Sequence, residues 1–402
     1  NQHGGDMIIS AAIEETSTHK LKEKEEFGFS MSLTSAEMTK TNTRNESYST
    51  DQSIKGSQIN VGGNINSTGD GNATIVGSDI TSGGDINIHG EEGVQLITAS
   101  ELDSMIQETQ VDKTTIGVSI GNSWAETASN AGSDPLGAAK TARDIASSAA
   151  SAATLGFYAK SGVSHESSKT RSESQTYTEQ GSNLTSLNGN INISTGGDIY
   201  MKGGSLNAEN GTTTLTGETV HLEAAQSWHS ETNSSESSNS ALSGTTDLMQ
   251  NDSSSMSTNG QGQNSEYYQE TYSNVDINGG VFKVNAKNTI ADGVDTTGVD
   301  HLDLSNAGNL EVSSKKSYST YTETSNSHSL GGGVSASQSK TDTLNEWTDP
   351  TMLVGRESAT IDVDHLEMGT GVIGQLNEDG RAGDNFQLNY NTINVKNETY
   401  TN

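Results

Sequence analysis

Along much of this chain, apolar residues come in pairs one residue apart. Ile59 and Val61, Ile86 and Ile88, Val94 and Leu96, Ile191 and Ile193, and Val220 and Leu222 each flank a single polar residue. A period of two places such a pair on one face of a β-strand. Gly, Asn or Asp interrupts each run after three to five residues, too soon for the roughly 12 residues that a helix normally needs. Glycine enters positive φ without penalty, and Asn and Asp tolerate it, so these breaks read as corners.

The pattern repeats. Gly56-Ser57 recurs as Gly181-Ser182, Gly63-Asn64-Ile65 as Gly189-Asn190-Ile191, Gly77-Ser78 as Gly204-Ser205, and Val94 as Val220, at offsets of 125, 126, 127 and 126. A third copy opens near Ser273 and closes on Asn309-Leu310-Glu311-Val312, and a degenerate fourth runs from about Ser358 to Val395. Short strands with Gly/Asn corners, in coils of roughly twenty residues, predict an all-β parallel β-helix, with about two coils in each cassette of about 45 residues. The expected division is 1–55 (the end of a preceding repeat and an excursion), a cassette at 56–101, an excursion at 102–180, a cassette at 181–227, an excursion at 228–272, a cassette at 273–312, an excursion at 313–357, and a degenerate cassette at 358–402.

The excursions share their own pattern. A polar arm leads out to an alternating run, and a Ser/Thr-rich arm leads back, as a long β-hairpin would. The runs are Phe27-Gly-Phe-Ser-Met-Ser-Leu33, Ile116-Gly-Val-Ser-Ile120 and Leu330-Gly-Gly-Gly-Val-Ser-Ala336. Phe27, Phe29, Met31, Leu33, Ile116, Val118 and Ile120 are therefore the candidate residues for facing a membrane or a partner. Residues 135–158 interrupt one excursion with an Ala/Ser-rich stretch whose apolar stripe (Leu136, Ala139, Ala142, Ile145, Ala149, Ala152) predicts a short α-helix starting at Pro135. A membrane-seeking hairpin is the competing reading of its uncharged end.

Composition narrows the function. A net charge of -31 disfavours nucleic acid and anionic headgroups. Only 29% of residues are hydrophobic, near the range of disordered chains, yet their regular spacing and the two prolines argue for a solenoid, whose coils bury only a thin row of side chains. With no cysteine there is neither a disulfide nor a thiolate metal site. No signal peptide is seen and the chain starts at Asn1, so it reads as part of something longer. Carboxylates are spread one or two per strand instead of converging, so neither catalysis nor a small-molecule substrate is expected. The nine histidines are scattered. Gly83-Gly84-Asp85 and Gly196-Gly197-Asp198 lack the tandem nine-residue period of calcium-binding repeats and read as structural corners, so no cofactor or metal is expected. A carbohydrate platform has little to draw on: Trp124, Trp228 and Trp347 all lie in excursions.

The Gly-Ser-x-[Ile/Leu] openings, the Gly-Asn-Ile-Asn-Ile and Gly-Gly-Asp-Ile steps, and the closes at Val94–Glu101 and Val220–Ser227 resemble the haemagglutinin repeats of filamentous haemagglutinin-type exoproteins. A charged arm and a Gly-x-Gly-Val-Ser-type strand follow such a close in the second repeat region of contact-dependent growth-inhibition effectors. The resemblance spans nearly the whole chain. It implies a right-handed β-helix, secreted to the bacterial surface through an outer-membrane β-barrel partner, with a stay in the periplasm before delivery as one option. It also implies a part in carrying a C-terminal toxin across a target cell's outer membrane. The alternative it leaves open is a passive adhesin stalk.

Overall fold

A computed structural model describes residues 2–3, 5–122, 157–247, 252–331, 333–377 and 379–396, and among these every regular element is a β-strand. They form two sheets: a 21-stranded set of parallel strands wound as a solenoid, and an eight-stranded antiparallel sheet built from the excursions. Of the expected helix at 135–158, residues 135–156 lie outside those described. Its last two residues, Phe157 and Tyr158, open a strand instead.

Each full coil has three strands, stacked in parallel on the matching strands of the coils above and below. One ladder runs Ile59–Ile80–Leu184–Leu206–Ile277, a second Ile65–Ile86–Ile191–Thr213–Phe282–Leu302, and a third Ala73–Val94–Ile199–Val220–Thr289–Leu310. The inward members form one continuous apolar core. Phe282 is its bulkiest buried side chain, and it stacks between the smaller Thr213 and Leu302. Thr289 interrupts the third ladder with a hydroxyl, which donates to the carbonyl of Ala307 at 2.9 Å, so the buried group is satisfied. The corners are tied along the axis. The Asn64 side chain accepts from the amide of Asp85, Asp85 from that of Asn190, and Asn190 from that of Thr212, each at 2.8–2.9 Å. Asp85 and Asp198 thus serve as corner acceptors, Asp198 taking the amide of Thr219 at 3.0 Å.

The corner after the third strand alternates between two solutions. At Gly77, Gly203 and Gly293 the chain turns straight into the next coil with φ of 50°, 59° and 88°. One coil later it leaves as a hairpin instead. These arm strands are β1 (Ala12–Met31) and β2 (Ser35–Lys55), β3 (Ala99–Asn122) and β4 (Phe157–Gln180), β5 (Ala225–Asp247) and β6 (Asp252–Ser273), and β7 (Lys316–Leu330) and β8 (Val334–Thr348). The strand Thr351–Gly355, expected in the last excursion, pairs with Gly371–Gln375 as part of the solenoid, so the last coil pair begins before Ser358.

The arms do not project separately. All eight strands join in chain order, β1 through β8, as one antiparallel meander. The reason is metric. Coils and paired strands share a spacing of about 4.8 Å, so a two-stranded hairpin fills the rise of two coils, about 9.6 Å. One hairpin per coil pair therefore makes a continuous sheet, a fin running along one corner of the stalk.

Candidate functional site

In Phe27–Met31 and Ile116–Ile120 the apolar residues alternate with Gly and Ser, so each strand has one apolar and one small, polar side. Directly opposed residues in an antiparallel sheet share a face. The register aligns Phe29 with Met38, Met38 with Ile116, Ile116 with Val163, Val163 with Leu242, and Leu242 with Met256. Six apolar side chains from six adjacent strands thus form one row, each 45–71% exposed. Toward the tip the next row is Met31, Ala36, Val118, Ser161, Gly244 and Ser254, and Ile120 lies beyond Val118. Phe27 flanks the row on the stalk side, with Lys40 Nζ 5.3 Å from its ring centroid. Leu33 sits in the two-residue turn joining β1 to β2, closed by the amide of Ser32 donating to the carbonyl of Ser35 at 2.7 Å, and it is fully exposed. The reverse face of the six-residue row's neighbour is Gly28, Thr39, Thr115, Ser164, Ala241 and Ser257.

All seven residues singled out from the alternation are exposed, and the register brings those in strands to one face. Met38, Val163, Leu242 and Met256 complete the central row, and no local alternation marks them. Hairpin symmetry about Leu33-Thr34 could have found Met38. Nothing local aligns the others.

Where the fin meets the stalk, a second grouping forms from residues far apart in sequence. The rings of Tyr177, Trp228, Tyr268 and Tyr318 follow one another at centroid distances of 5.8, 6.3 and 5.6 Å. Glu270 accepts hydroxyls from Tyr272 at 2.6 Å and Tyr268 at 2.8 Å. Burial pushes its carboxyl up, and the tyrosine hydroxyls more than offset this, holding it below the usual range. Glu223 behaves likewise: burial raises it, while Tyr200 (2.6 Å) and Lys315 (3.2 Å) hold it low overall. Lys315 also pairs with Asp292, and Lys202 bonds Glu179 at 2.8 Å. The Lys202 and Lys315 contacts bind the arm bases to the coils, while Glu270 ties β6 to itself and, through Tyr318 at 3.4 Å, to β7.

Stacking also creates arrangements that imitate catalytic ones. His89 bonds Ser194 at 2.9 Å and Glu91 at 3.3 Å, and His301 bonds Ser358 at 3.0 Å and Glu357 at 3.3 Å. Both place a histidine against the matching position of the next coil, as the ladder also does for Asn66, Asn87 and Asn192. Among the described residues no three His, Cys, Asp or Glu side chains group to hold a metal ion.

A family model described as a hemagglutinin repeat matches residues 38–155 and 162–332, well over half of the chain. The chain belongs to that family. Comparison with curated proteins finds no match. Both matched stretches contain coils and arms together, so the hemagglutinin repeat takes in the fin as well as the stalk. Its role is structural, not catalytic, and family membership places the segment in a secreted, cell-surface exoprotein of the kind exported through an outer-membrane β-barrel partner.

Proposed function

We propose that this repeat segment is a rigid, non-catalytic stalk whose fin applies its apolar distal face to the outer membrane of a target cell, assisting delivery of a toxin carried C-terminal to it, as in contact-dependent growth inhibition. The observation that carries this reading is the row from Phe29 to Met256, six exposed apolar side chains in register on one face. Covering a large aliphatic or aromatic side chain contributes about 1.5–3 kcal/mol, so a row of six is a substantial docking surface. The alternating Gly, Ser and Thr of the reverse face keep the tip one-sided. Nearer the stalk the same face turns polar and charged (Arg44, Gln110, Lys169 and Glu236 share a row), which argues that the apolar tip is not a general property of the arms.

A passive adhesin spacer predicts no such specialisation and no lipid association. Flotation with phosphatidylcholine vesicles separates the readings. The wild-type segment should float, and a Phe29→Ser, Ile116→Ser, Leu242→Ser variant should remain at the bottom with an unchanged circular dichroism spectrum. Failure of the wild type to float would leave the spacer reading in place.

A further inference from the structure

Among the described residues the large apolar side chains of the distal face are exposed, and its shape and size fit a definite protein occupant. We propose that before target contact the apolar faces of two copies of this chain pack against each other, fin to fin. This rests on the reading above only in treating the same face as the working surface, which self-association would keep dry until it is needed.

Shape is the first argument. Large side chains stand on the β1–β3 side of the patch, Met31, Leu33 and Ile120 among them. On the β4–β6 side the small Ser161, Gly244 and Ser254 line a hollow, part of a concavity of about 740 Å³. A two-fold axis through the patch carries the projecting side of each copy into the hollow of the other, the self-complementarity that an isologous interface requires.

Size is the second. Six strands and three rows cover roughly 29 by 20 Å. That is about 600 Å² on each copy, or about 1,200 Å² in all, the lower bound for a specific stable interface.

Charge is the third. The central row and its two neighbours, from Phe27–Lys40 to Met31–Ala36, carry no carboxylate on β1–β6. The chain's charge of -31 therefore opposes pairing only at longer range, where salt screens it.

Sedimentation equilibrium of the segment, up to about 100 µM at low salt and at about 0.5 M salt, tests this. The expected result is a monomer–dimer equilibrium that tightens several-fold with salt. Gly244→Leu should weaken it at least tenfold by filling the hollow. A Cβ there meets nothing closer than 3.9 Å, so the variant should fold normally. Leu242→Ser should weaken it similarly. A wild type that stays monomeric, or a dimer indifferent to both substitutions, overturns the proposal. A monomer that floats on vesicles would sink fin pairing alone, and a dimer that never floats would sink the membrane reading alone.

Discussion

At the scale of single residues, the alternating corner depends on a few glycines. Gly203 has φ of 59°, and a Cβ there would stand 2.6 Å from the Cβ of Ala225, the first residue of β5. Gly77 meets Ala99, the first residue of β3, in the same way at 2.5 Å. The direct turn thus lies under the root of the hairpin one coil on, and both partners are small. Gly203→Val combines a left-handed backbone with a clash and should cost about 3 kcal/mol or more. Gly63, with open space around it, should accept Ala within about 0.5 kcal/mol. Denaturant unfolding with hydrogen exchange of the neighbouring coils would check both; equal effects would show that corner sterics do not govern the coil.

At the scale of elements, the fin is a single layer with solvent on both sides over most of its length, so it relies on cross-strand pairs and on its base. Glu270 and Glu223 are held below the ordinary carboxylate range there. A lowered native pKa contributes stability above the unfolded value of about 4.3, and that contribution is lost as pH falls through the native value. The base of the fin, through Glu270 between β6 and β7 and Glu223 under the root of β7, should therefore hold at neutral pH and loosen below about pH 4. Burial and the bond to Glu270 raise Tyr268 and Tyr272 above their usual range. Their contribution is complete below the unfolded value near 10 and is lost on further alkalinisation. Near-ultraviolet circular dichroism of the Tyr177–Trp228–Tyr268–Tyr318 ladder should report both limits. Glu270→Gln should weaken the signal at pH 7 and flatten its acid limb; an unchanged acid limb would remove Glu270 from the account.

At the scale of the whole molecule, stalk and fin grow together because two coils and one hairpin occupy the same rise. A deletion of residues 99–224 removes one hairpin and its two coils and joins Thr98 to Ala225. β5 then takes the place of β3 beside β2. The product should be a folded rod with a six-stranded fin, shorter by about 9.6 Å in small-angle scattering. Removing only residues 100–179 keeps the coils and leaves β2 and β5 about 14 Å apart, three strand spacings. That fin should split, seen as faster amide exchange in β2 and β5. A fin that heals equally in both deletions would mean that the coils do not set its register.

The sequence by itself determined what depends on near neighbours. Period-two alternation and glycine corners were enough to mark the coils, their doubling within each cassette, the hairpin form of the arms, and the one-sidedness of Phe27–Leu33 and Ile116–Ile120. Resemblance to the haemagglutinin repeats rested on the same local motifs. Tertiary structure alone decided that four hairpins would merge into one sheet, because the alignment of one hairpin with the next is set by the rise of the solenoid and not by any residue within the arms. The same rise put Met38, Val163, Leu242 and Met256 into the row begun by Phe29 and Ile116, and it gathered four aromatic rings from separate strands at the base. Local pattern specifies which side of a strand is apolar, and only the spacing of the stack determines which strands share that side.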